Sequence, residues 1–131
     1  MKIGIFDSGK GGTTIYEAIK KILPDEEYLY VADSKNCPYG EKTEEELRII
    51  VTRIVDDLKK WGAKIVVIAC NTVTTRCIDY LRNKYPDIVF VGAEPAIKQA
   101  VKSDAKNILI MATPGTIKSE RVKSLLSKNY Y

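Results

Sequence analysis

Residues 64–72, Lys-Ile-Val-Val-Ile-Ala-Cys-Asn-Thr, constrain the fold of this chain more than any other stretch. Ile65, Val66, Val67, Ile68 and Ala69 are consecutive, apolar and mostly β-branched, the pattern of a strand buried on both faces. Such a strand needs helices above and below it, so the chain is expected to be an α/β protein with an open parallel sheet. The strand runs into Cys70, Asn71 and Thr72, and an amphipathic helix follows. Open α/β sheets hold ligands outside the carboxyl ends of their strands. A thiol at that place sits at a helix N-terminus, whose positive dipole end favours thiolate. Cys70 is accordingly the first candidate reactive group.

The rest of the chain alternates in the same sense. Strands are predicted over residues 2–6, 27–32, 88–92 and 108–111, and helices over 13–23, 43–61, 71–84 and 95–101, with a last, weakly apolar helix carrying Val122, Leu125 and Leu126 to the C-terminus. Ile15, Ile19 and Ile22 fall on one stripe of the first helix, ahead of Pro24. Thr43 and Glu46 form a T-x-x-E capping box for the second, which stops at Gly62. Alternating strands and helices imply right-handed crossovers that collect the strand ends on one edge. Those ends carry Asp7-Ser8, Asp33-Ser34, Cys70-Asn71-Thr72 and Thr113-Pro114-Gly115-Thr116, all short polar side chains ahead of a loop or helix.

Each motif has a plain reading beside the functional one. Residues 4–10 satisfy G-x-x-x-x-G-K, yet Gly11 stands where a phosphate loop needs Ser or Thr, and Gly4 lies inside the strand. The favoured reading is a turn that aims backbone N–H groups at a carboxylate and puts Asp7 in the crevice beside Cys70. Asn71 and Thr72 suit a helix cap as well as a ligand contact. Cys77 falls on an inward helical stripe and reads as core. Pro38-Tyr39-Gly40 fits a plain turn as well as a substrate loop, and Asp33-Ser34 reads as a strand-terminating turn. The turn at residues 113–116 offers free N–H groups suited to an anion.

Bulk properties exclude several classes. A net charge of +4, from 21 basic and 17 acidic residues, with no long basic run, argues against nucleic acid. No apolar run is long enough to span a membrane, and the first residues lack the apolar stretch of a signal peptide. Three cysteines without C-x-x-C spacing point to a reduced, cytoplasmic compartment with no disulfide or zinc framework. Histidine is absent, so acid–base chemistry falls to Cys, Asp, Glu, Tyr or Lys.

Five segments, IGIFDSGKGG, VADSKNCPYGEKT, IACNT, VGAEPAIK and ATPGTIKS, occur in this order. The series resembles the glutamate racemases of the aspartate/glutamate racemase superfamily. That resemblance implies a flavodoxin-like three-layer α/β/α fold and interconversion of L- and D-glutamate for peptidoglycan, with neither pyridoxal phosphate nor metal. It implies two thiols flanking the substrate Cα, with Cys70 matching the first. Asp7 matches the residue that assists the cysteine, and Ser8 a substrate contact. Tyr39 and Gly40 match substrate contacts, Asn71 and Thr72 the grip on the amino-acid head group, and Thr113 and Thr116 a motif bordering the site. The second thiol, in a G-C-T-H segment, has no counterpart here. By the family template residues 1–97 are most of a first domain, and 98–131 are a linker helix plus the first strand and helix of a second. Tyr130 and Tyr131 then read as exposed residues on a surface normally covered. Three readings stay open: part of an enzyme that works with a further half, a non-catalytic amino-acid-binding module, or a homodimer presenting two copies of Cys70 to one Cα. Aspartate in place of glutamate also stays open.

Overall fold

The computed structural model describes residues 1–103 and 105–127. Four strands, β1 (Lys2–Asp7), β2 (Glu27–Ala32), β3 (Ile65–Ile68) and β4 (Val89–Gly92), form one sheet in the order β2-β1-β3-β4. Every pairing is parallel. The helices are α1 (Thr13–Ile22), α2 (Glu44–Trp61), α3 (Asn71–Lys84), α4 (Ile97–Val101), α5 (Pro114–Ile117) and α6 (Glu120–Ser127).

The apolar run at β3 is buried on both sides, as its composition requires. Side chains alternate across a strand. Val66 and Ile68 pack with Phe6 against α2 and α3, whereas Val67 joins Ile3 and Ile5 against Ile15, Tyr16 and Ile19 of α1. The sheet is thus the middle of three layers. Gly4 lets the larger layer close: a Cβ there would sit 2.9 Å from both terminal methyls of Leu58. That is why the first glycine of G-x-x-x-x-G-K is a packing residue in the strand and not part of a loop.

Both ends of α2 follow the residues named above. The Thr43 hydroxyl accepts the Glu46 N–H, and the Glu46 carboxylate accepts the Thr43 N–H. These bonds hold the Glu46 carboxyl below its ordinary range. Gly62 ends the helix with φ +99°, a left-handed conformation that glycine adopts without steric cost. Leu47, Val51, Val55 and Leu58 face the core.

Two expectations are corrected. Residues 108–111 form no strand: Leu109 and Met111 are 86% and 88% exposed, and only Ile110 packs, against the cluster of Ile97, Val122 and Leu125. A strand exists by pairing its backbone with a neighbour, and none of the four described strands borders this segment. Ile22 falls on the α1 stripe by angle but lies outside the packed cluster, exposed in the helix's last turn. The expected run of the final helix to the C-terminus, and the reading of Tyr130 and Tyr131, fall outside the described residues.

Cys77 is core, as its helical position predicts. Burial pushes its thiol up to about 11, so the folded state holds this proton more tightly than the unfolded chain, whose thiol titrates near 8.5. Stability from this site is complete below about pH 8.5 and is lost as pH rises toward the folded value. Urea midpoints at pH 8 and pH 10.5 should show Cys77→Ala removing ~2 kcal/mol of the wild-type alkaline decline. An unchanged slope in the variant would contradict the assignment.

Candidate functional site

β1 and β3 are neighbours in the sheet and end together. Phe6 lies opposite Ile68, and the Ala69 N–H donates to the Phe6 carbonyl at 2.8 Å. The next residues of each segment, Asp7-Ser8 and Cys70, therefore reach the same rim. Asp7 is 7% exposed, and its carboxylate accepts the Ser8 N–H at 2.8 Å and the Gly12 N–H at 2.9 Å. The glycine-rich turn thus wraps around a carboxylate, and the carboxylate is the chain's own. These two N–H groups are committed to Asp7 and Gly4 is held in the core, which weighs further against the phosphate loop that Gly11 already disfavours.

Cys70 is the N-cap residue of α3, with extended backbone (φ −112°, ψ 116°). It is 6% exposed, and its thiol donates to the Ser8 hydroxyl at 3.6 Å. The sulfur, the Ser8 hydroxyl and the start of α3 thus share one corner, with the Asp7 carboxylate fixing the turn behind them.

The other half of the rim is a set of hydroxyls. Thr72 Oγ1 lies 3.2 Å from Thr113 Oγ1 and 3.4 Å from Thr116 Oγ1, and the last two are 3.0 Å apart. Thr113 also caps α5, accepting the Thr116 N–H at 3.3 Å. Gly40 lies against this set so closely that a Cβ there would be 2.8 Å from the Thr113 Cβ. Tyr39 belongs to the core: its ring is buried, and its phenol donates to Asp33 Oδ2 at 2.6 Å. Burial first, and the Asp33 carboxylate second, push the phenol far above its ordinary value. Asn36 donates to both oxygens of the same carboxylate at 2.9 Å.

The sequence-derived candidates therefore fall into two groups that meet at the first turn of α3. Asp7, Ser8 and Cys70 form one, and Gly40, Thr72, Thr113 and Thr116 the other, with Tyr39 fixing the Gly40 turn from beneath. Asn71 stands between them, exposed, and borders an apolar groove of about 290 Å³ shared with Pro95, Ala96 and residues 108–112. Two residues carry more than their sequence context suggests. Asp33, which reads as a strand-ending turn, anchors Tyr39, and the signal was the D-x-x-N-x-x-Y spacing over residues 33–39. Arg76 reaches back from α3 to the Lys42 carbonyl at 3.0 Å. Among the described residues no cluster of three or more His, Cys, Asp or Glu side chains is placed to hold a metal ion.

A parallel α/β sheet with a thiol at a helix start and a ring of hydroxyls on its carboxyl rim is the class of protein these features define, and comparison supplies the particular family. The chain belongs to the Asp/Glu/hydantoin racemase family, whose model matches residues 3–131. It is 47% identical over 127 residues to a glutamate racemase of Clostridium botulinum, covering 96% of this chain and 49% of that relative. It is 45% identical over 129 residues to a glutamate racemase of Clostridium novyi, covering 98% of this chain and 50% of that one. Among solved structures it resembles glutamate racemase from Aquifex pyrophilus, with a TM-score of 0.85 at 35% identity over 96% of this chain and 50% of that one. The Escherichia coli glutamate racemase, solved with L-glutamate and the activator UDP-MurNAc-ala, matches with a TM-score of 0.85 at 38% identity over 95% of this chain and 47% of that one. The chain spans about half the length of the curated relatives it matches.

Proposed function

We propose that this chain supplies one proton-transfer half of a cofactor-independent glutamate racemase, with Cys70 as the acid–base on one face of the substrate Cα. The observation that carries the reading is the Cys70 thiol on the Ser8 hydroxyl at 3.6 Å, at the rim where Asp7 closes its turn. A Cα–H is a very weak acid, so the site must hold the proton carrier close and stabilise charge as it develops. Cys70 stands directly ahead of α3, with its thiol turned to the Ser8 hydroxyl. The Thr72, Thr113 and Thr116 hydroxyls, with Asn71 and the Gly40 turn, provide donors for the amino-acid head group. The opposite thiol then comes from a second α/β half, as the length of the relatives allows. Residues 108–111 support that division, since all four are apolar yet Leu109 and Met111 are left uncovered. In this reading the product is D-glutamate for peptidoglycan. Three free cysteines suit a reducing, cytoplasmic setting.

Alkylation tests the site directly. Iodoacetamide at neutral pH should label Cys70, and L- or D-glutamate at about ten times its dissociation constant should slow that labelling roughly tenfold, since about a tenth of the sites stay open. Exposed Cys37 should be labelled at an unchanged rate, and buried Cys77 should stay unlabelled. Peptide mass spectrometry reads all three. Labelling of Cys70 that is indifferent to millimolar glutamate would remove the glutamate reading.

A further inference from the structure

We propose that Arg76 is a positioning residue of this site, a brace that sets the distance between the Gly40 turn and the Thr113–Thr116 hydroxyls; the inference rests on the glutamate reading above. Arg76 lies inside α3, the helix that begins directly after Cys70. Its Nη2 donates to the Lys42 carbonyl at 3.0 Å, and the Lys42 N–H returns to the Tyr39 carbonyl at 3.3 Å. The guanidinium therefore grips the closing residue of the turn that carries Tyr39 and Gly40. Its other terminal nitrogen, Nη1, is buried, and lies where a Cβ on Gly115 would approach to 3.1 Å, with Cδ at 3.4 Å. Gly115 sits between Thr113 and Thr116. One planar group thus touches two segments that also pack directly on each other, most tightly where Gly40 presses on Thr113.

The charge is not used in an ion pair. Among the described residues no carboxylate lies within ion-pair distance of Arg76, although Glu44 and Glu120 share its cavity and pair instead with Arg48 and Lys123. What remains is shape and direction: a rigid fork with donors in one plane, which a flexible lysine reproduces only in part. Removing the fork frees the Gly40 turn to move relative to Thr113. Adding a methyl at residue 115 pushes on the fork from the other side. The two changes act on one contact and should not add.

The measurement is the glutamate concentration that half-protects Cys70 from iodoacetamide, with the unliganded labelling rate and the urea midpoint taken alongside. Arg76→Met should raise the half-protecting concentration about tenfold, and Arg76→Lys, which can still reach the Lys42 carbonyl, should restore part of the loss. Gly115→Ala should raise it in the wild-type background and add nothing in the Arg76→Met background. The unliganded rate and the urea midpoint should move little, which a merely structural role would not allow. If Arg76→Met fails to fold, Gly115→Ala compared between wild type and Arg76→Lys gives the same reading, with a smaller loss in the lysine background. Wild-type half-protection in both Arg76→Met and Gly115→Ala, or losses that multiply in the double variant, overturn the brace while leaving the glutamate reading intact. Absence of protection in the wild type overturns the glutamate reading, and the brace with it.

Discussion

Gly12→Ala will destabilise this chain by about 3 kcal/mol, while Gly9→Ala, in the same turn, will shift stability by under about 0.5 kcal/mol. The difference lies in what each new methyl meets. A Cβ on Gly12 would sit 2.5 Å from the Ala69 Cβ, 3.0 Å from the Tyr30 hydroxyl and 3.1 Å from the Asp7 Cβ. The Tyr30 ring can tilt away, but a Cβ has no rotamer, so relief requires backbone movement at Ala69 or Asp7. Both residues adjoin the site, one directly before Cys70 and the other holding the turn together. A Cβ on Gly9 meets nothing within 4 Å. Gly12 has φ −73°, so its cost comes from space and not from backbone preference. Urea midpoints decide the matter: equal losses for the two variants would show that the turn relaxes freely and that packing against Ala69 is not what demands glycine.

The second large effect is chemical. In deuterated water this chain should exchange the Cα proton of glutamate, and Cys70→Ala should reduce the exchange at least ~100-fold, the lower range for loss of a positioned acid–base group. On the proposed mechanism the proton would leave Cα for the Cys70 sulfur, the sulfur would trade it for a deuteron from solvent, and the deuteron would return to Cα. A single thiol reaches a single face, so one enantiomer should exchange with retention of configuration while the other stays protonated. Proton NMR reads the loss of the Cα signal, and chiral chromatography reads configuration. Exchange that survives in Cys70→Ala would take the chemistry away from this sulfur. Inversion by the wild-type chain would mean that a second thiol reaches the opposite face, which favours the paired-copy arrangement.

Much of this was legible in the sequence because particular residues leave unambiguous marks. A strand buried on both faces has no polar alternation, and residues 65–69 show none. The α2 start is written in Thr43 and Glu46, and its end in Gly62. Cys70 could be placed at a strand end because strand and helix meet there. What stayed hidden depends on contacts between distant loops, which have no period. Asp33 reads as a turn until Tyr39 is seen to swing its phenol onto it. Arg76 reads as one more charged residue on a helix until its Nη2 is found donating to the Lys42 carbonyl. Residues 108–111 show the converse failure: their composition favours a strand, but strand formation is a property of pairs.

The rim is assembled from four stretches far apart in the chain, and none of them holds its geometry alone. Asp7 and Ser8 need β1, Gly40 needs the buried Tyr39 ring, Cys70 and Thr72 need the passage from β3 into α3, and Thr113 and Thr116 need α5 seated on α3. A small molecule that settles among them engages only the native chain and so deepens its free-energy well by mass action. Amino acids that fit should therefore behave as chemical chaperones, raising the melting temperature in proportion to the logarithm of their concentration once they saturate the rim.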